Sequence, residues 1–418
     1  SKMHVYIMGK TPVYQYAMPL VLFTNSAIPE GATVEQAAAI VRANGKPTVW
    51  HQAQIHPNEP ASGEGALVMM QEMTGSYGET LLSSINVVIV PRINPDGSYL
   101  YRRTTYQGFD MNRDHMALKA PELAMLHTNY MLFMPELCVD GHEFGYTGVD
   151  ASGPFMRNAD DMQSTPASSL NNDPKLNAMS LAAVDKLHLD AADNGLRIYH
   201  YGTTVNNPIG RAYYGLFNSV SVLVETRGIG GGKSNFPRRV YSQVSAAKSL
   251  YEYAAANAAS LRSVVATGRQ QVIEHGKTYD ETDLLALYQT ASGKTMSPRK
   301  LTRTQYNLDG TVHKTSSAAL KMNDTIAQSR VRPTAYLLSK SAGDLLNLDR
   351  TLYILDNQGA EYYEIAPGAT VNLQQYYNTG IWKDQKGKDT NTPKVELRAP
   401  ADISFPRGAV VVPMDQVA

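Results

Sequence analysis

The chain has 418 residues, which is too long for one ordinary hydrophobic core, so we expect two domains. Its 38 basic and 38 acidic side chains cancel, which argues against nucleic acid or an anionic membrane surface as a partner. The sequence lacks the run of about 18 apolar residues that a membrane-spanning helix needs. Its single cysteine, Cys138, has no second cysteine with which to form an internal disulfide.

Residues 1–275 alternate between apolar runs of strand length and segments of helix length. The predicted strands are Val5–Met8, Leu20–Phe23, Thr48–Ile55, Ile85–Val90, Glu136–Val139, Ile198–Tyr201 and Val220–Val224. The predicted helices are Thr33–Ala43, Ala61–Met73, Pro121–Leu132 and one long Ala-rich helix from Tyr241 to about Ile273. This alternation predicts an α/β fold with a mixed, mostly parallel sheet and helices on both faces.

Residues 276–418 are predicted to form a smaller, β-rich C-terminal domain, because the sequence becomes polar and threonine-rich after the long helix. The predicted strands there are Thr351–Leu355, Glu361–Ile365, Lys394–Leu397 and Ala409–Val412. This part of the sequence has no cluster of histidine, cysteine or paired carboxylates. We therefore expect it to have a structural or substrate-gating role rather than a chemical one.

Two short motifs contain candidate metal ligands. His56 and Glu59 are three residues apart in His-Pro-Asn-Glu, and His142 ends the run Val-Asp-Gly-His. Two imidazoles and one carboxylate are the ligands of a catalytic zinc that keeps one position open for water. In open α/β sheets, ligands bind beyond the carboxyl ends of the strands, which is where His56, His142 and Glu225 lie. The sequence thus predicts one zinc ion per chain.

Glu225 follows the apolar run Val220–Val224, which is typical of a buried strand. Burial on one side disfavours the charged carboxylate and raises its pKa, which suits a base that must later act as an acid. The alternative is an ion pair with Arg227.

The segment between the metal-ligand motifs is rich in charged and amide side chains. It begins with the turn sequence Asn-Pro-Asp-Gly at residues 94–97. Asp110 can accept the second ring N–H of a metal-bound histidine. Arg113 offers a planar fork for a carboxylate, with the amide of Asn112 beside it, and Arg102 could hold a developing oxyanion. The alternative is that these are solvated loop residues.

The order of these motifs, His-x-x-Glu, Asn-Pro-Asp-Gly, Arg, Asp-x-Asn-Arg, Asp-x-His and Glu-x-Arg, resembles the carboxypeptidase A-like family of zinc metallocarboxypeptidases. The resemblance covers about residues 5–270, and the two-histidine, one-glutamate zinc site is a known property of that family. The C-terminal part resembles, to a lesser extent, an extension found in a bacterial branch of the family.

The resemblance implies a role for each residue of the motifs. It implies zinc ligands at His56, Glu59 and His142, a general base and acid at Glu225, a carbonyl-polarising arginine at Arg102, a clamp for the terminal carboxylate at Asn112 and Arg113, and a hydrogen-bond partner of His56 at Asp110. The family's mobile tyrosine is assigned to Tyr201, with Tyr199 as the alternative. Arg211 falls near the specificity pocket of the family, which predicts tolerance for acidic C-terminal residues.

The implied activity is zinc-dependent removal of C-terminal residues from peptides that have a free C-terminal carboxylate. Two alternatives stay open: a zinc amidase or deacylase acting on acyl amino acids or peptidoglycan stem peptides, and a catalytically inactive peptide-binding protein. The sequence does not begin with a signal peptide, so the compartment is not determined. A periplasmic or secreted location is favoured.

Overall fold

The computed structural model describes residues 2–149, 155–203, 205, 207–341, 345–383 and 389–417. The first ten strands are β1 (Met3–Lys10), β2 (Ala17–Phe23), β3 (Thr48–Gln52), β4 (Asn86–Val90), β5 (Leu137–Gly145), β6 (Thr147–Val149), β7 (Phe155–Asn158), β8 (Met162–Pro166), β9 (Ile198–His200) and β10 (Val220–Ile229). The helices in this part are α1 (Val34–Ala43), α2 (Pro60–Met73), α3 (Ser76–Leu81), α4 (Pro95–Tyr99), α5 (Pro121–Phe133), α6 (Pro174–Asp193), α7 (Gly210–Leu216), α8 (Phe236–Ala256) and α9 (Ala258–Lys277).

Eight of these strands form one sheet in the order β1-β2-β4-β3-β5-β10-β8-β9. The central pairs β4–β3, β3–β5 and β5–β10 are parallel, as is the edge pair β8–β9. The pairs β1–β2, β2–β4 and β10–β8 are antiparallel. The predicted fold class, a mixed and mostly parallel sheet, is confirmed.

Successive residues of the central strands pack into two different hydrophobic clusters, one on each face of the sheet. Val49 packs in the cluster that contains Met69 of α2 and Leu250 of α8. Trp50, the next residue, packs in the cluster that contains Tyr130 of α5. Side chains alternate between the faces of a strand, so an apolar residue at every position requires helices on both sides. Each fully buried large apolar side chain contributes about 1.5–3 kcal/mol to this core.

The remaining elements are mostly short antiparallel strands. They are β11 (Leu284–Thr290), β12 (Thr295–Asn307), β13 (Val312–Lys321), β14 (Thr325–Val331), β15 (Ala335–Ser339), α10 (Leu345–Asn357), β16 (Tyr363–Ile365), β17 (Ala369–Leu373), β18 (Tyr376–Lys383), β19 (Asp389–Leu397), β20 (Ala401–Phe405) and β21 (Ala409–Pro413). One of their sheets has the order β13-β12-β7-β6 and so combines strands from before and after residue 275. The division at residue 275 stays a prediction.

Two predicted elements are wrong. The single helix from Tyr241 to Ile273 is two helices, α8 and α9, separated at Asn257. The side-chain amide of Asn257 donates to the Tyr253 carbonyl at 2.9 Å, a local bond that competes with helix continuation. The predicted strand Thr351–Leu355 lies within α10, because a short apolar run does not by itself distinguish a strand from a helix.

None of the helices in the described ranges is both long enough and apolar enough to cross a lipid bilayer.

Candidate metal centre

The loop after β3 positions both residues of the His-x-x-Glu motif. Its backbone is fixed to the neighbouring strand, since the Ala53 N–H donates to the Val90 carbonyl at 3.0 Å. The Glu59 N–H then donates to the His56 carbonyl at 3.0 Å, which closes a tight turn between the two ligands. Pro60 begins α2, a position where its missing N–H costs nothing and its fixed φ suits a helix. The turn therefore ends where the helix starts, with both side chains at the carboxyl end of the sheet.

His56, Glu59 and His142 form a buried group, which we call the ligand cluster; one ligand atom from each lies within 4.8 Å of the others. His56 Nδ1 is 2.8 Å from Glu59 Oε1, and His142 Nδ1 is 3.0 Å from Glu59 Oε2. The two Nδ1 atoms are 3.2 Å apart. Bond lengths of about 2.0 Å separate two ligands of a tetrahedral zinc by about 3.3 Å, so this spacing fits the ion.

The far nitrogens of both imidazoles face carboxylates. His56 Nε2 is 3.0 Å from Asp110 Oδ1, and His142 Nε2 is 3.1 Å from Asp140 Oδ1. The Asn112 amide nitrogen also lies 3.1 Å from His142 Nε2, but an ionised carboxylate can only accept, so we assign this ring proton to the bond with Asp140. Both Nδ1 atoms then present lone pairs to each other and to Glu59. When the rings are neutral, these two lone pairs and the Glu59 carboxylate are three acceptors that one metal ion can bind together.

The charge around the ligand cluster favours a cation as well. Burial by itself raises the pKa of Glu59, but His56 and His142 outweigh it and hold the pKa below its ordinary value. Burial lowers the pKa of His142, but Asp140 and Glu59 outweigh it and raise the pKa well above its ordinary value. The carboxylates of Asp140 and Glu59 thus favour positive charge at His142, and a bound metal ion would supply such charge.

Glu225 lies beside the ligand cluster on the neighbouring strand. In the parallel pairing of β10 with β5, Glu225 is directly opposite His142, so the two side chains project from the same face. Glu225 is 8% exposed, and this burial raises its pKa to about 7, with the Glu59 charge adding to the rise and the two imidazoles opposing it. A carboxyl with this pKa can both accept and release a proton near neutral pH.

The structure brings Arg103, not Arg102, to the ligand cluster. The Arg102 guanidinium folds back onto its own loop, where it donates to the carbonyls of Thr105, at 2.6 Å, and Tyr106. Arg103 donates from Nε to Asp110 Oδ2 at 2.9 Å and from Nη1 to Glu59 Oε1 at 3.2 Å. Neighbouring arginines in a loop cannot be told apart by sequence pattern, and the role predicted for Arg102 stays a prediction.

Asn112 and Arg113 lie together in a short 3-10 turn, Met111–Arg113. The Gly210 N–H donates to Asn112 Oδ1 at 2.7 Å, which turns the Asn112 amide towards His142 and ties the turn to α7. Arg113 is exposed, and its Nη1 donates to its neighbour's carbonyl at 2.7 Å. The guanidinium has further donors that can bind a carboxylate.

Tyr201 follows β9 and is half-buried next to Glu225. Burial raises the pKa of its hydroxyl, as does Glu225, whereas Arg211 and Arg113 lower it. Arg211 is 3% exposed on α7 and donates to the Gly202 carbonyl at 3.3 Å. By contrast, the Tyr199 ring contacts the Arg303 guanidinium, 4.8 Å from the ring centre. Tyr201 therefore lies within electrostatic range of Glu225 and Arg113, and its choice over Tyr199 as the mobile tyrosine stays a prediction.

A buried ion pair between Glu143 and Arg239, which the sequence patterns did not indicate, links the segments that present the site. Arg239 donates from Nε and Nη2 to the two Glu143 carboxylate oxygens, each at 2.8 Å. The same carboxylate accepts from the Ala61 N–H at 3.0 Å and from the Thr226 hydroxyl at 3.3 Å. Glu143, Ala61 and Thr226 each lie within two residues of His142, Glu59 and Glu225, respectively, so one carboxylate connects the three segments.

Asp140 was also missed as a functional residue, although its signal was present in the sequence. Residues two apart on a strand project from the same face, so an Asp-x-His sequence on a strand places a carboxylate beside the imidazole. Gln52 fixes this carboxylate by donating from Nε2 to Asp140 Oδ1 at 2.8 Å.

Comparisons with known proteins agree with this chemistry. The chain is similar to carboxypeptidase 2 of Trichophyton rubrum, with 28% identity over 391 residues that cover 88% of this chain and 69% of the relative. It is 26% identical to carboxypeptidase 2 of Trichophyton equinum, with the same coverage.

Solved structures were matched as well. A metallo-carboxypeptidase from Burkholderia cenocepacia matches with 18% identity and a TM-score of 0.45, over 60% of this chain and 64% of that chain, which is less than two thirds of its length. A carboxypeptidase A from Helicoverpa armigera matches with 14% identity and a TM-score of 0.43, over 61% of this chain and 69% of that chain. The family model described as zinc carboxypeptidase matches residues 1–324, more than three quarters of the 418 residues. The chain belongs to the zinc carboxypeptidase family.

Proposed function

We propose that the chain is a zinc-dependent carboxypeptidase that hydrolyses the last peptide bond of substrates with a free C-terminal carboxylate. One observation carries the proposal: two imidazole nitrogens and a carboxylate converge in a buried site with a second carboxyl, Glu225, beside them. His56, Glu59 and His142 would hold the zinc. The bound ion would activate a water molecule and polarise the scissile carbonyl.

Glu225 is the proposed general base and acid. It takes the proton of the attacking water and then delivers it to the departing amine, as its raised pKa allows. Its position opposite His142 supports this role, because the strand pairing keeps it within the same small volume as the ligand cluster.

Arg103 is the proposed oxyanion-stabilising residue, in place of Arg102. Its guanidinium reaches the edge of the ligand cluster, where charge develops on the carbonyl oxygen during attack. Asp110 holds the guanidinium there through the Nε bond and also receives the His56 ring proton. Asp110 thus orients a zinc ligand and this arginine together.

Arg113 is the proposed anchor of the substrate's terminal carboxylate, with Asn112 holding the turn that carries it. Tyr201 is the proposed mobile tyrosine, because it lies within electrostatic range of both Glu225 and Arg113. Arg211 is a buried cation within electrostatic range of Tyr201 and Glu225, and a cation in this part of the site supports the prediction that acidic C-terminal side chains are accepted.

The test compares one peptide as free acid and as C-terminal amide, with the chain stripped of metal and reloaded with zinc. We expect zinc-dependent cleavage of the acid, little cleavage of the amide, a KM at least tenfold higher for Arg113→Gln, and a kcat lower by about 10²–10⁴ for Glu225→Gln. Equal cleavage of acid and amide would contradict the clamp. Cleavage of acyl amino acids but not peptides would favour the amidase, and no cleavage of any substrate would favour a binding protein.

A further inference from the structure

A cavity of about 640 Å³ lies beside the loop that carries the zinc ligands. Its lining includes Pro57, Pro60, Leu67, Tyr16, Tyr99 and Tyr101, and we call it the tyrosine trough. Pro57 stands between His56 and Glu59 in sequence, and Pro60 directly follows Glu59. The trough is therefore continuous with the segment that holds the candidate metal centre.

One wall of the trough is held in place by Asp96 of the Asn-Pro-Asp-Gly turn. Thr11 donates from its hydroxyl to Asp96 Oδ1 at 2.6 Å, and the N–H groups of Val13 and Tyr14 donate to the same carboxylate at 3.0 and 3.2 Å. Asp96 is fully buried, so these bonds are shielded from water. The loop that carries Tyr14 and Tyr16 is thus fixed before any ligand arrives.

The surface of the trough is aromatic and close to neutral. Tyr16, Tyr99 and Leu67 are 41%, 66% and 46% exposed, which leaves much apolar area facing solvent. The rings of Tyr14 and Tyr99 lie 4.8 Å apart, centre to centre. The charged residues among those lining the trough are Glu64 and Arg92, which are of opposite sign. Aromatic surfaces of this kind bind extended peptides that contain proline and other apolar residues.

The position of the trough in the sheet gives the direction of a bound peptide. Tyr201 follows β9, which lies beyond β10 in the strand order. The turn that carries Arg113 is bound to α7, through the Gly210 N–H that donates to Asn112. Part of the trough is lined by α2 and the loop after β3, and the rest by residues that follow β4 or lie in and before β2, on the side of β3 away from β10. A substrate with its terminal carboxylate at Arg113 and its scissile bond at the zinc would extend its earlier residues towards the trough.

We infer that the tyrosine trough binds apolar residues, prolines included, on the N-terminal side of the scissile bond of the peptide substrate. This inference rests on the proposed function and adds a preference for longer substrates with apolar upstream sequence. It concerns residues that the motifs of the metal centre do not include.

The test uses two substrates with the same last two residues: an N-acylated dipeptide and an octapeptide with proline and leucine upstream. Tyr99→Ala and Leu67→Ser are compared with the parent and with Tyr241→Ala and Leu189→Ser, which change exposed side chains of the same type on α8 and α6. We expect each trough variant to lower kcat/KM for the octapeptide by about tenfold, through KM, because one aromatic or apolar contact is lost. The dipeptide rate and both control variants should stay within about twofold of the parent.

An unchanged ratio of octapeptide to dipeptide kcat/KM in both trough variants would overturn the inference. An equal loss on both substrates would also overturn it, since the residues would then act on the metal centre itself. A zinc-loaded parent that cleaves neither substrate would refute the proposed function, and the inference would fail with it.

Discussion

Removal of the guanidinium from the Glu143–Arg239 pair should strongly destabilise the fold. In Arg239→Met, the Glu143 carboxylate loses two charge-assisted bonds of 2.8 Å and keeps the weaker donors Ala61 and Thr226. Both side chains of the pair are almost completely buried, so water cannot replace the lost donors. Breaking a buried pair from one side costs about 3–5 kcal/mol, and we expect the urea-derived free energy of unfolding to fall by that amount.

The loss should depend on pH in a definite direction. Burial already raises the pKa of Glu143, and Arg239 opposes this rise. Without the arginine, the pKa in the folded state rises further above its unfolded value, so the folded state binds protons more readily. A group of this kind stabilises the fold at low pH, and the stabilisation is lost as the pH rises through its folded pKa. The stability deficit of Arg239→Met should therefore be smaller at pH 5 than at pH 8.

Two variants serve as controls for this prediction. Arg238→Met removes a half-exposed arginine from Asp161, which Arg197 still contacts, and should cost about 1 kcal/mol or less. Adding Glu143→Gln to Arg239→Met removes the unpaired charge and should recover part of the loss. A deficit below about 1 kcal/mol, or one that is equal at both pH values, would refute this account of the pair.

Three further predictions concern the metal centre. The apparent pKa of the acid limb of the kcat/KM profile should lie between 4.5 and about 7, because burial raises the pKa of Glu225 while a bound cation lowers it. Activity should fall as the pH drops and this base is protonated. Glu225→Gln should lower kcat by about 10²–10⁴ and lack the acid limb. Asp140→Asn should weaken zinc binding by about 10–100-fold in chelator competition, because the His142 ring loses its carboxylate partner, whereas Asp190→Asn on the surface should not. Arg103→Gln should lower kcat by about 10²–10³ and Arg102→Gln by less than tenfold; the reverse order would restore the sequence-based assignment.

The zinc site could be predicted from sequence because its ligands lie in or shortly after neighbouring parallel strands. A turn at the end of β3 supplies His56 and Glu59, and β5 supplies His142, so topology alone brings them to one edge of the sheet. Glu225 follows the same rule, because β10 pairs with β5 in parallel. The positions of such residues in space follow from the fold class, and the periodicity of the sequence already indicates that class.

Other features depend on side-chain packing and could not be read from the pattern. Which of the Arg102 and Arg103 guanidinium groups reaches Asp110 is a matter of loop conformation. The pairing of Glu143 with Arg239 joins residues far apart in sequence. The break at Asn257 follows from one side-chain bond, and the helical α10 from apolar residues such as Leu348 that pack at helical spacing.

The pairing of β12 with β7 limits where this protein can be shortened. Strand β7 precedes residue 275, and its partner β12 follows it, so a polypeptide ending there would leave the N–H and C=O groups of β7 without their neighbour. An unprotected strand edge recruits other chains and promotes aggregation. A shortened form intended for expression should therefore retain at least β12 and β13, and a protease cut between α9 and β11 need not release the two halves from one another.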